Sequence, residues 1–157
     1  MRAMDLAELT GSADRIIVGD VLAADAAWDS THRDIYTTVE IGVREVWKGA
    51  APANGKIGLR HLGGTVGEIE MTVLGEVGFA VGERAVLFLR HAQLVGMAQG
   101  KRRVRWDASA KRWLAEAPDR RGNILVPAGQ GAAGVQMQVS DESLDVLREK
   151  VRVLLGK

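Results

Sequence analysis

Residues 101–121 hold eight lysines or arginines against three acids, a local charge of +5 in a chain whose formal net charge is +1. KRRVRW (101–106) and KRWLAEA (111–117) read as a hairpin closed by DASA. On the first strand Lys101, Arg103 and Arg105 alternate, so they share one face, with Val104 and Trp106 on the other. Lys111, Arg112 and Trp113 sit on the return. Cations that neutralise phosphates beside indoles that stack bases suit single-stranded nucleic acid or another acidic polymer. The competing expectation is a solvated hairpin whose cations guard an exposed edge and whose tryptophans are core.

Other chemistry has thinner support. The three histidines, His32, His61 and His91, show no His-x-x-x-His or His-Glu-x-x-His spacing, so no metal is implied. GQGAAG (129–134) spells G-x-G-x-x-G, but the strand-like VQMQV follows where a dinucleotide site needs a helix. GGTVGE (63–68) lacks the lysine and hydroxyl of a phosphate loop and reads as a turn. No Gly-x-Ser-x-Gly elbow is present; Ser30 and Thr31 adjoin His32 in sequence only. Glu68 and Glu70 share a strand face, the ordinary place for solvated carboxylates. The absence of cysteine removes disulfides and thiolate chemistry. These readings imply no cofactor and no catalytic residue.

Trp28 lies in DAAWDSTHRD (25–34), a stretch too polar to be core. Either it anchors a protein interface, or it folds back as a lid over the core.

Short elements must position these residues. MDLAELT (4–10) reads as a helix stopped at Gly11. RIIVGDVLAA (15–24) is a strand covered on both sides. In TTVEIGVREVWKG (37–49), Val39, Ile41 and Val43 alternate, but the next in-phase position is Glu45 and the apolar signal moves to Val46. That phase slip predicts a bulge that bends the strand at a barrel corner, with Gly42 allowing close approach; an exposed strand end is the alternative. IGLRHL (57–62), EIEMTVL (68–74, with Ile69, Met71 and Val73 inward), AVLFLRH (85–91, central), LVGMAQG (94–100), ILV and VQMQV (135–139) add strands. SDESLDVLREKVRVLLGK (140–157) is a helix capped by Ser140 and stopped by Gly156. Leu144, Leu147, Val151, Leu154 and Leu155 form its apolar stripe. Nineteen glycines against three prolines fit a β protein rich in turns and bulges. No apolar run approaches the roughly 20 residues that span a bilayer.

SADRIIVGDV, then a polar loop, IYTTVEIGVREVWKG and GGTVG resemble the netrin-like module found in the tissue inhibitors of metalloproteases. The residues that carry this are Ala13, Asp14, Ile16, Ile17, Val18 and Val21, then Tyr36, Val39, Ile41 and Val43, then Trp47, Lys48 and Gly49. With GERAVLFL, the chain also resembles a group of uncharacterised secreted bacterial domains, over about two-thirds of its length. The resemblance implies an OB-like five-stranded barrel and an extracytoplasmic binding module. Those inhibitors chelate zinc through an N-terminal cysteine; this chain has none, so that mechanism does not carry over. MRAMDLAEL lacks the apolar core of a signal peptide, so an exported location implies a leader outside this chain.

The expectation is one mainly β domain over residues 1–157. It is a closed or partly open OB-like barrel with a short N-terminal helix and an amphipathic helix (141–155) packed on it. Its expected role is a non-enzymatic, exported module that binds another protein through Trp28, His32, Gly64 and Gly67, without membrane insertion. The alternative is a domain that binds nucleic acid or another acidic polymer through Lys101, Arg103, Arg105, Lys111 and Arg112.

Overall fold

The computed structural model describes residues 2–73, 78–118, 126–127 and 140–157. GQGAAG, VQMQV, Arg120 and Arg121 lie outside them.

The strands are β1 (Arg2–Ala3), β2 (Arg15–Trp28), β3 (Ile35–Lys48), β4 (Lys56–Leu62), β5 (Gly64–Val66) and β6 (Ile69–Met71). They continue with β7 (Arg84–Arg90), β8 (Gln93–Leu94), β9 (Lys101–Asp107), β10 (Arg112–Ala115), β11 (Val126–Pro127) and β12 (Glu142–Ser143). The helices are α1 (Leu6–Ser12) and α2 (Leu144–Leu154). The main sheet runs β12-β10-β9-β7-β2-β3-β4 and is antiparallel throughout, with β8 also paired to β7. The expected mainly β fold with one helix near each end is what the chain forms. The barrel is partly open: the free edge of β4 curls round to the β7–β8 turn, where Arg60 N donates to Ala92 O at 3.1 Å.

The phase slip in β3 is a pair of bulges. Val18 pairs with Glu45 but Gly19 with Val43, leaving Arg44 extra; Ile17 pairs with Val46 but Ile16 with Lys48, leaving Trp47 extra. A third irregularity leaves Leu22 extra on β2. Each added residue bends its strand and raises local twist, which is how a sheet with two 14-residue strands curls. The close approach falls on Gly19, where a Cβ would lie 2.4 Å from Ile41 Cγ2 and 2.9 Å from Gly42 O. At Gly42 it would meet only the side chain of Leu22, at 3.2 Å.

The sheet buries both faces. Inside the curl lie Ile17, Val21, Val39, Ile41, Leu59, Leu87 and Leu89. On the outer face Ile16, Val18, Val86, Phe88, Val104 and Ala115 pack under Leu9 of α1 and Leu144, Leu147 and Val151 of α2.

Several elements depart from expectation. Strand β2 runs on through Trp28, because residues 25–28 find partners in β3 at Thr38, Thr37, Tyr36 and Ile35. Residues 68–73 do not form one inward-facing strand, and Leu74 lies outside the described residues; β5 and β6 make a separate small hairpin, and Ile69 is 53% exposed. Residues 94–100 form a 3₁₀ turn at Met97–Gly100 after the two-residue β8. Helix α1 continues through Gly11, and Asp5 caps it by accepting from Glu8 N at 2.8 Å. Helix α2 starts at Leu144 because β12 intervenes after Ser140, and Leu154 is exposed. Gly156 sits at φ +76°, the left-handed stop expected of it. No helix among the described residues is long and apolar enough to cross a membrane.

Candidate functional site

The hairpin of β9 and β10 forms where the sequence places it, and its register sets Trp106 opposite Trp113. Val104 and Ala115, two residues back on the same face, are covered by α2. The tryptophans lie beyond that cover and are 51% and 40% exposed, so they are surface rather than core. Their rings meet edge to face, with centroids 5.3 Å apart and planes at 68°. The guanidinium of Arg84 sits 4.5 Å from the Trp113 centroid, within cation–π range.

Arg84 is held in turn. Its Nε donates to Asp20 Oδ1 at 2.9 Å, while Arg44 Nε donates to Asp20 Oδ2 at 2.5 Å. Partial burial pushes the Asp20 carboxyl up, but the two arginine hydrogen bonds outweigh it and hold it below the usual carboxylate range. The bulge at Arg44 delivers this second guanidinium. The result is a surface on which two indoles adjoin Arg84, and Arg84 shares the Asp20 carboxylate with Arg44. The turn behind it is tied by Asp107, whose Oδ1 accepts from Ser109 N (3.1 Å), Ser109 Oγ (2.7 Å) and Ala110 N (3.3 Å).

The expected row of cations is largely committed elsewhere. Lys101 is 5% exposed; its Nζ donates to Glu83 Oε1 at 2.6 Å and Gly78 O at 2.8 Å, over the Phe79 ring. It is therefore a buried ion-pair partner and not a surface cation. Arg103 pairs with Glu83 at 3.4 Å, and Arg105 with Glu116 at 3.4 Å and Asp141 at 3.6 Å. Lys111 and Arg112 are exposed at the turn and make no ion pair among the described residues. The alternation that puts Lys101, Arg103 and Arg105 together also puts them on the face opposite the indoles.

Sequence reasoning missed Arg102. It shares the phase of Val104 and Trp106, which was the available signal, and is 5% exposed. Its Nη2 donates to Ala115 O and Ser140 O, both at 3.1 Å, and its Nε to Glu116 O. It thereby fixes the chain leaving β10 to the chain entering β12. Asp20, Arg44 and Arg84 were missed too, since nothing in sequence brings three strands together.

At the other end of β2, Trp28 is partly buried and stacks on His32, with centroids 4.3 Å apart and planes at 24°. Asp29 Oδ1 accepts from Thr31 Oγ1 (2.9 Å) and Arg33 N (3.0 Å), which shapes that loop. Gly64 leaves no room for a side chain: a Cβ would lie 2.5 Å from Thr37 Oγ1 and 3.0 Å from Ala26. The β5–β6 hairpin is thus laid over the strand ends where Ile35 pairs with Trp28. Gly67 sits at φ +60° at the hairpin turn, facing open space. Trp28, His32 and Gly64 therefore gather at one end of the sheet.

The histidines do not converge on a metal. His61 is half-buried beside Phe79, and burial pushes its pKa below the ordinary value. His91 is exposed near Asp14, and His32 is on Trp28. Among the described residues no three metal-ligating side chains cluster. Glu68 and Glu70 are both exposed.

No protein-family model, no curated protein and no solved structure matches the chain.

Proposed function

We propose that this chain is a non-enzymatic interaction module that binds another protein, and that the outer sheet face at Trp106 and Trp113 is its contact surface. The observation that carries this is the pair of half-exposed, edge-to-face indoles beside Arg84, which Asp20 links to Arg44. Tryptophan and arginine dominate the energetics of protein interfaces, because a rigid ring buries much area at little entropic cost. Large exposed aromatic groups held rigidly by a scaffold are a liability unless covered in use. The Trp28–His32 end offers a second, less exposed aromatic group for the same role.

Binding of an acidic polymer through Lys101, Arg103, Arg105, Lys111 and Arg112 has less support. Lys101 is enclosed, and Arg103 and Arg105 already have carboxylate partners. The netrin-like relationship and an exported location belong to this proposal and rest on the sequence segments that carry the resemblance. The test is affinity capture from cells of the source organism with the tagged full chain and with a Trp106→Ala/Trp113→Ala variant. A protein retained by the first and lost by the second supports the reading. A set of captured proteins identical for both removes this surface from it.

A further inference from the structure

We infer that the tryptophan face takes an acidic peptide segment with apolar side chains, presented by the partner protein; this rests on the protein-binding reading above. The charge around the rings is asymmetric. Arg44 and Arg84 share the single carboxylate of Asp20, which leaves one positive charge in surplus. At the adjoining turn Lys111 faces solvent without an ion pair among the described residues, while Arg112, opposite Asp107 in the register, lies on the face of Arg105 and adds nothing to the charge beside the rings. A partner carrying carboxylates meets complementary potential here, and one carrying lysines meets repulsion. The perpendicular rings form an angle that seats one apolar side chain against the face of one indole and the edge of the other.

The same geometry disfavours nucleic acid. Stacking of successive bases needs ring faces roughly in register with a track of cations. Here the planes stand at 68°, Arg84 already occupies a face of Trp113, and Arg103 and Arg105 project from the opposite side of the sheet.

The test uses the full chain labelled with ¹⁵N, in which four tryptophans give four indole N–H signals. Three probes are titrated: a ten-residue peptide alternating glutamate with leucine, its lysine–leucine counterpart, and oligothymidylate. The inference expects the acidic peptide to shift the Trp106 and Trp113 signals, and the basic peptide to leave them unmoved. Affinity should fall at least about tenfold in Arg44→Ala and in Lys111→Glu, both of which alter exposed side chains. The inference is overturned if neither indole responds, if both peptides act alike, or if oligothymidylate shifts the same signals at lower concentration. If it falls while a captured protein is still lost in the tryptophan variant, the protein-binding reading stands with a different partner chemistry.

Discussion

Arg148 on α2 reaches Glu45 on the bulged stretch of β3 with two hydrogen bonds, Nε to Oε1 at 2.8 Å and Nη2 to Oε2 at 3.0 Å. The indole of Trp47 donates to the same carboxylate at 3.3 Å. The phase slip explains why the acid is there. The extra residue Arg44 turns Glu45 to the helix-covered face while Val46 returns to the inner core. One irregularity in a strand therefore sets where the terminal helix docks.

That pair gives a pH signature. The hydrogen bond from Arg148 is the chief reason the Glu45 carboxyl is held below its ordinary value of 4.5. The unfolded chain then binds more protons than the folded one as pH falls through the carboxylate range, so stability rises with pH there. The contribution is complete above pH 4.5 and disappears as pH drops through the folded value. Both side chains are more than a third exposed, so Glu45→Gln should cost only about 0.5–1 kcal/mol at neutral pH. Urea denaturation at pH 7 and pH 3 should show that cost shrinking toward zero. An equal cost at both pH values would mean that packing, not charge, is lost.

Gly19 and Gly11 should respond to alanine in opposite directions. A Cβ at Gly19 collides with Ile41 and with the backbone oxygen of Gly42. Gly19→Ala should therefore lose about 1–3 kcal/mol through overpacking at the bulge. Gly11 lies inside α1, and a Cβ added there would meet nothing within 4 Å. Gly11→Ala should accordingly gain about 0.5–1 kcal/mol from reduced chain entropy. Thermal melts of the two variants suffice to check both signs.

Lys101 and Glu83 form the most enclosed ion pair among the described residues, with side chains 5% and 10% exposed. Glu83 also accepts from Ala80 N at 3.0 Å and so closes the loop before β7. Glu83→Ala would leave a buried ammonium without its carboxylate, at a cost of about 3–5 kcal/mol. Lys101→Met in that background should recover part of the loss by removing the stranded charge. A double-mutant cycle in guanidinium measures the coupling; a coupling near zero would show that water reaches Lys101 freely.

The parts of this fold that could be read in advance are those with a local cause. The alternation of Val39, Ile41 and Val43 and its break at Glu45 are written in consecutive residues, and so are the hairpin at 101–117 and the stripe of α2. What could not be read is set by partners distant in sequence. Residues 25–28 look like a polar loop, yet β3 supplies a ladder that extends the strand to Trp28. Lys101 looks like a surface cation until Glu83 and Phe79 close over it. The candidate surface was half legible: the indoles and their neighbouring charges stand out in sequence. Which face each occupies follows from alternation, but the exposure of the rings depends on where α2 ends. The Asp20 link between Arg44 and Arg84 joins three strands and has no sequence signature.

If Trp106 and Trp113 serve recognition and not folding, removing them should separate the two. Their rings are about half exposed and contact each other and Arg84. Trp106→Ala/Trp113→Ala forfeits an aromatic pair worth about 0.5–1.5 kcal/mol beyond its buried area. It should thus lower stability modestly and leave the far-ultraviolet circular dichroism of the sheet unchanged. Arg102→Ala is the contrast. It strips a buried guanidinium from Ala115, Glu116 and Ser140 carbonyls. Those acceptors lose their donor in a covered site, so the loss should reach about 3 kcal/mol or more. Should the tryptophan variant prove as unstable as the Arg102 variant, the indoles are structural and the proposed surface loses its basis.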